Sequence, residues 1–125
     1  MLEAAGAVVW VDDEAQMDAV TAVSGSGPAY FFLLIESIED AGVALGLPRP
    51  VARQLAVQTA LGSGRMAAGS KDPPAVLREQ VTSRGGTTAA ALEVLESAGM
   101  RDIFHRAIVA AARRSTELAD QFGSQ

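Results

Sequence analysis

An all-α domain follows from three features of this 125-residue sequence. Alanine, the strongest helix former, occurs 24 times. Apolar residues reach 49% while aromatics supply only 5%, so helices must approach closely to fill space. Glycine and proline fall where helices would start and stop, with short connections between them. A chain of this length makes one domain, long enough to bury a core.

Taken in order, Ala7-Val8-Val9-Trp10-Val11 is the one β-like run, β-branched and aromatic between Gly6 and Asp12-Asp13. An edge strand and a linker remnant both fit it. From Asp13 the pattern is helical until Ser24-Gly25-Ser26-Gly27-Pro28 breaks it. Pro28 suits the first turn of the next helix, with Ser26 or Gly27 as cap. That helix runs to about Leu45, where Gly46-Leu47-Pro48 reads as a stop: a left-handed glycine, an apolar residue folding back, then proline.

A helix from Arg49 or Pro50 to about Ala68 follows. Within it Gly62-x-Gly64-x-x-Ala67 matches the relaxed dinucleotide fingerprint, but no strand precedes it, so its small residues are read as room for another helix. Asp72-Pro73-Pro74 starts a short helix to about Thr82, with Asp72 as cap and Pro73 in the first position. After Gly85-Gly86 a helix runs from Thr87 to Ala98 and ends at Gly99. The last helix extends from about Met100 to Gln121.

Two of these helices carry information about assembly. Tyr30, Phe31, Phe32, Leu33, Leu34 and Ile35 are apolar around the whole circumference, which demands burial on every side. A low-bulk domain of this size has little to cover them with, and a partner chain supplies it. In the last helix Phe104, Ile108, Ala111, Ser115, Leu118 and Phe122 recur at four- and three-residue steps. Such a seam serves an internal core stripe or an interchain contact, and both readings stand at this point.

Composition excludes several function classes. Cysteine is absent, which removes disulfides and thiolate metal sites. The single histidine, His105, has no local carboxylate partner and is read as structural; no metal is expected. A net charge of −5 and the lack of a basic run argue against nucleic acid. Arg113-Arg114, the only adjacent basic pair, reads as a solvated helix face or a last turn favoured by the helix dipole. The apolar stretch Ala29 to Ile35 stops at Glu36, short of a membrane span, and Met1-Leu2-Glu3 lacks a signal peptide's basic start. A cytoplasmic protein without membrane contact is the expectation.

The chemistry concentrates in Val81-Thr82-Ser83-Arg84-Gly85-Gly86-Thr87-Thr88-Ala89-Ala90-Ala91-Leu92. Two glycines let the backbone bring N–H groups close to a ligand. Ser83, Thr87 and Thr88 stand beside them, and a helix opens at once. First-turn N–H groups have no intrahelical partners and the helix dipole favours negative charge, so such a turn suits an anion. An ordinary helix start capped by Ser83 or Thr87 is the competing reading.

Three blocks occur together in order: Glu14-x-x-Met17-Asp18-Ala19-Val20-Thr21-Ala22-Val23-Ser24-Gly25-Ser26-Gly27-Pro28-Ala29-Tyr30, then Ala41-Gly42-Val43-x-x-Gly46-Leu47-Pro48, then Pro74-x-x-Leu77 through the glycine loop to Leu95. From about Val8 to Asp120 the chain resembles the C-terminal part of the pyrroline-5-carboxylate reductase family, enzymes that make proline from its cyclic imine. The resemblance implies a helical domain interlocked with a second copy as a homodimer or higher oligomer. It also implies an imino-acid substrate, hydride from NADPH or NADH, and no metal. Residues 1–12 then read as a remnant of the dinucleotide-binding domain or a linker, and residues 13–125 as the dimerisation and substrate-binding domain. The main cofactor domain is not in this chain, so the chain alone is expected to be inactive.

Site roles follow residue by residue from the resemblance. Backbone N–H groups of Gly85, Gly86 and Thr87, with the Ser83 hydroxyl, would hold the substrate carboxylate. Thr88 matches the threonine whose hydroxyl reaches the ring nitrogen, positioning substrate first and serving as acid second. Glu14 matches an acidic residue able to hold the imine as its iminium cation, although a first-turn glutamate favoured by the dipole explains it equally. Thr21 is a further candidate. Gln80 matches a position whose amide touches the cofactor. Arg84 departs from a pattern that often has proline there, adding freedom and positive charge. A non-catalytic helical homodimeric module, its loop only a helix cap, is the alternative.

Overall fold

A computed structural model of the chain describes residues 2–4, 7–9 and 13–123. Its elements are β1 (Leu2–Ala4), β2 (Ala7–Val9), α1 (Glu14–Val20), a π turn (Thr21–Gly25), α2 (Gly27–Ala44), α3 (Arg49–Gly69), α4 (Pro74–Gln80), α5 (Thr87–Ser97) and α6 (Met100–Gly123). The fold is all-α apart from the two short strands, which pair antiparallel with Leu2 opposite Val9 and Ala4 opposite Ala7. The β-like run is thus a strand over Ala7–Val9, and Trp10 and Val11 lie outside the described residues. Sequence reasoning passed over β1 because Leu-Glu-Ala has no β-branched or aromatic residue.

Two compact units make up the chain, residues 1–31 with 99–125, and residues 32–98. In the first, Asp13 caps α1 by accepting from the Gln16 N–H at 2.8 Å, and Glu14 adds a favourable charge to the first turn. The expected break at Ser24-Gly25 is not an open loop. The chain stays helical but widens by one residue, with the Ser26 N–H donating to the Thr21 carbonyl at 2.9 Å. The Tyr30 hydroxyl pins this turn by donating to the Ala22 carbonyl at 2.7 Å. Ala22 is fully buried at 0% exposure, so this contact lies at the tightest point of the unit.

Helix α6 packs against α1 and the π turn. The Asp18 carboxylate accepts from Ser115 Oγ at 2.6 Å and Thr116 Oγ1 at 2.7 Å. The middle of the α6 seam therefore closes an internal contact through Ser115. Its far end does not, since Phe122 is 64% exposed. His105, read as structural, is exposed on α6. Arg114 pairs with Glu117 at 3.1 Å, in keeping with a solvated face there.

In the second unit, α2 ends as its sequence announces. Gly46 adopts φ 105°, the Leu47 N–H donates to the Gly42 carbonyl at 3.1 Å, and the Gly46 N–H donates to Val43 at 3.0 Å. This is the paired closure of a Schellman motif. It turns α3 back onto α2, where a Cβ on Gly42 would lie 3.2 Å from that of Ala52. Ala52 and Ala56 are the buried apolar residues of this unit, so the contact is built from small side chains. Gly62 and Gly64 have nothing within 4 Å of a built Cβ, so the described chain itself does not use that room.

The α2–α3 corner also holds a buried carboxylate. Glu39, 7% exposed, accepts from Arg49 at 2.6 Å and Arg53 at 2.8 Å. The Arg53 and Arg49 guanidinium groups hold its carboxyl below the ordinary range, and the Ser115 and Thr116 hydroxyls do the same for Asp18. A depressed folded pKa gives stability that is full above the unfolded value, about 4. That stability is lost as pH falls through the folded pKa. Urea midpoints should therefore drop as pH is lowered below about 4, and Glu39→Gln with Asp18→Asn should flatten the decline. An equally steep acid limb in the double variant would show that other groups control it.

Asp72 does not cap α4. Pro73 occupies the cap position with no side-chain bond, and the Asp72 N–H itself donates to Ser70 Oγ at 3.0 Å. The reason is chemical, since Pro73 and Pro74 have no N–H for a carboxylate to accept.

Large apolar side chains stay open on α2: Phe31, Phe32 and Leu33 are each more than 60% exposed. By length and composition the helical run Glu14–Ala44, 31 residues, is apolar enough to cross a membrane. The reading from Ala29 to Ile35 missed this because the π turn carries the helix through an apparent break.

Candidate functional site

The glycine loop joins α4 to α5 within the second unit. Helix α4 closes with the Thr82 hydroxyl donating to the Arg78 carbonyl at 2.6 Å and the Thr82 N–H to Glu79 at 3.1 Å. Thr82 is thus spent on ending the helix. Ser83 to Gly86 then form a tight turn, with the Gly86 N–H donating to the Ser83 carbonyl at 3.1 Å. Gly85 takes φ 73°, the left-handed region that a side chain makes costly. Gly86 is needed for a different reason. Its backbone is extended, but a Cβ there would fall 2.7 Å from Ser83 Oγ and 3.3 Å from the Ser83 carbonyl oxygen.

Gly86 is the N-cap of α5 and makes no side-chain cap bond, so neither Ser83 nor Thr87 caps the helix. That corrects the ordinary-cap reading. The residue in the cap position is a glycine, which has no side chain to accept from the first-turn N–H groups. The N–H groups of Thr87, Thr88 and Ala89 have no helical acceptor, since the first α5 bond at this end runs from Ala90 to Gly86 at 3.2 Å. The hydroxyls of Ser83, Thr87 and Thr88 likewise bond to no described residue. Ser83, Gly85 and Thr87 are exposed, while Gly86 and Thr88 are half-buried. Unpaired donors of this kind gathered at a helix start are what an oxyanion requires.

Gln80 is the last residue of α4, exposed, three positions before the turn. The loop unit thus contains Gln80, Ser83, Gly85, Gly86, Thr87 and Thr88. Glu14 belongs to the other unit, as does Thr21. There Glu14 opens α1 and shares a hollow with Met17, Asp18, Thr21, Thr116 and Asp120. Asp18 is the residue that sequence reasoning passed over in this hollow. Its hydroxyl partners lie 97 and 98 positions away, beyond any local pattern. Among the described residues no group of histidines and carboxylates is arranged to hold a metal.

Open apolar helix faces, together with a glycine turn that leaves donors unpaired at a helix start, define a helical domain with surface left to cover. Residues 14–118 match the family model described as pyrroline-5-carboxylate reductase dimerisation. The chain belongs to the pyrroline-5-carboxylate reductase family and corresponds to its dimerisation domain. It is 54% identical over 123 residues to the pyrroline-5-carboxylate reductase of Pseudomonas aeruginosa, covering 98% of this chain and 45% of that protein. The enzyme of Pisum sativum is 50% identical over 89% of this chain and 41% of its own length.

Solved structures agree. The pyrroline-5-carboxylate reductase of Coxiella burnetii superimposes with a TM-score of 0.88 at 46% identity, over 90% of this chain and 42% of that one. The Plasmodium falciparum pyrroline carboxylate reductase, solved with NADP bound, gives 0.79 at 41% identity, over 83% and 40%. The chain therefore spans less than half the length of the relatives it matches.

Proposed function

We propose that this chain is the dimerisation and substrate-binding half of a cytoplasmic pyrroline-5-carboxylate reductase. The reaction reduces 1-pyrroline-5-carboxylate to proline with hydride from NADPH or NADH, and the domain works as a homodimer or a higher assembly of dimers. Residues 1–12 are a remnant of a dinucleotide-binding half or a linker to it, and residues 13–125 are the helical domain. The observation that carries this reading is the Ser83–Gly86 turn, which in a chain of this family leaves the Ser83 hydroxyl and the Thr87 and Thr88 N–H groups unspent.

The cofactor supplies hydride to the imine carbon, and the exposed Gln80 amide, a donor and an acceptor, suits a contact with it. This chain's residues do the rest. The Gly85 and Thr87 N–H groups and the Ser83 hydroxyl hold the carboxylate, while the Gly86 N–H, given the same role on sequence grounds, instead closes the turn on the Ser83 carbonyl. As the ring carbon gains hydride, its nitrogen gains electron density and needs a donor. The Thr88 hydroxyl orients that nitrogen and passes a proton from water, being too weak an acid to give up its own without replacement. Alone, the chain should turn over no substrate, because most of the cofactor's binding surface belongs to the other half.

Joined to a dinucleotide-binding half, Thr88→Ala should lower kcat/KM by about 10- to 100-fold, the effect of one lost transition-state donor. Steady-state kinetics on the folded variant provide the measurement. Wild-type values would remove Thr88 from the mechanism.

A further inference from the structure

Arg84 stands at the second position of the Ser83–Gly86 turn, exposed, beside the left-handed Gly85. That position favours proline, whose fixed φ stiffens a turn. Arginine offers no such stiffness, so what the position gains is the side chain. Four arginines are held by carboxylates, Arg49 and Arg53 by Glu39, Arg106 by Asp102 and Arg114 by Glu117, whereas Arg65, Arg78 and Arg113 have no carboxylate partner among the described residues but lie away from the turn's own four positions. Arg84 makes no ion pair or hydrogen bond with any described residue. A permanent cation with open donors therefore rides on the same turn that leaves the Ser83 hydroxyl and the α5 N–H groups unpaired.

We propose that Arg84 is a specificity-determining residue for the anionic substrate: its guanidinium draws the imine's carboxylate to the turn and discriminates against uncharged imines. This rests on the reading of the turn as a carboxylate cradle. The backbone N–H groups supply the short contacts, and Arg84 acts at longer range through water. A unit charge about 7 Å away in water changes affinity roughly threefold, and more where the approach is partly shielded. Such an effect weakens with salt, because the screening length at physiological ionic strength is about 8 Å. In sequence the nearest charges are Arg78 and Glu79 on α4, of opposite sign.

The test uses enzyme joined to its dinucleotide-binding half, with Arg84→Gln, Arg84→Lys and Thr88→Ala compared at low and high sodium chloride. Arg84→Gln should raise KM for the imino acid about three- to tenfold at low salt, with kcat changed far less. The salt dependence of KM should flatten, and Arg84→Lys should restore most of both. An unchanged KM with an unchanged salt dependence overturns the proposal. A change confined to the KM for NADPH, absent with NADH, also overturns it, since the charge would then serve the cofactor's extra phosphate. If Thr88→Ala is impaired while Arg84→Gln is normal, only the Arg84 assignment falls. If both are normal and a folded Gly86→Val enzyme is normal as well, the cradle itself falls.

Discussion

Valine in place of Gly86 should reduce kcat/KM by more than about 100-fold in the enzyme joined to its dinucleotide-binding half, the cost of a displacement of roughly 1 Å at a positioned substrate. The structure gives the reason. A Cβ at Gly86 already lies 2.7 Å from Ser83 Oγ and 3.3 Å from the Ser83 carbonyl oxygen. The hydroxyl can rotate away, but the carbonyl is backbone and is the acceptor that closes the turn. Valine adds two methyl groups to that conflict, so the turn must open and its donors disperse. Gly86→Ala should fall between wild type and valine. Kinetics on a variant whose far-ultraviolet circular dichroism matches wild type settle the matter. A folded Gly86→Val enzyme with normal kinetics would mean that substrate does not use this turn.

Phe32→Glu should have an effect of similar size on assembly. Phe32 is 67% exposed in the single chain. In a monomer, a charge at such a site changes stability by no more than about 0.5 kcal/mol. In a dimer that covers this face, the same change removes a buried phenyl ring and strands a charge, costing about 3 kcal/mol or more per subunit. The variant should precipitate, or unfold at much lower urea than wild type, and should not yield a well-folded monomer. A soluble variant with unchanged mass and urea midpoint would place Phe32 on an open surface.

Much of the helical domain was readable in the sequence because its punctuation acts locally. Gly46-Leu47-Pro48 closes α2 through bonds that span at most five residues, and Gly99 ends α5 with φ 84°. The features that escaped depend on geometry that a linear pattern does not carry. Ser24-Gly25-Ser26-Gly27 looks like a break, yet the widened turn held by Tyr30 keeps it helical. Asp72 has the composition of a cap, but the prolines after it offer no donor. Asp18 meets Ser115 and Thr116 through tertiary packing, and Glu39 is identified as a buried ion partner only once α3 folds back.

The candidate site divides along the same line. Its glycines were readable because each has a steric duty in the turn: Gly85 the left-handed backbone, Gly86 the close approach to Ser83. The use of the hydroxyls was not. Thr82 closes α4, while Ser83 and Thr87 stay free, although the sequence sets them almost side by side.

The exposed apolar faces of α2 and the far end of α6 make one quantity decisive: the mass of the chain in solution. Light scattering at micromolar concentration should give about twice the 12.9 kDa of a single chain, or a higher multiple of that pair. If the helices interlock with those of a second copy, mixed light- and heavy-isotope chains should exchange slowly, because such helices must partly unfold to separate. A mass of 12.9 kDa with native helical content would contradict the account, since the apolar residues of α2 would then face water with no partner to cover them.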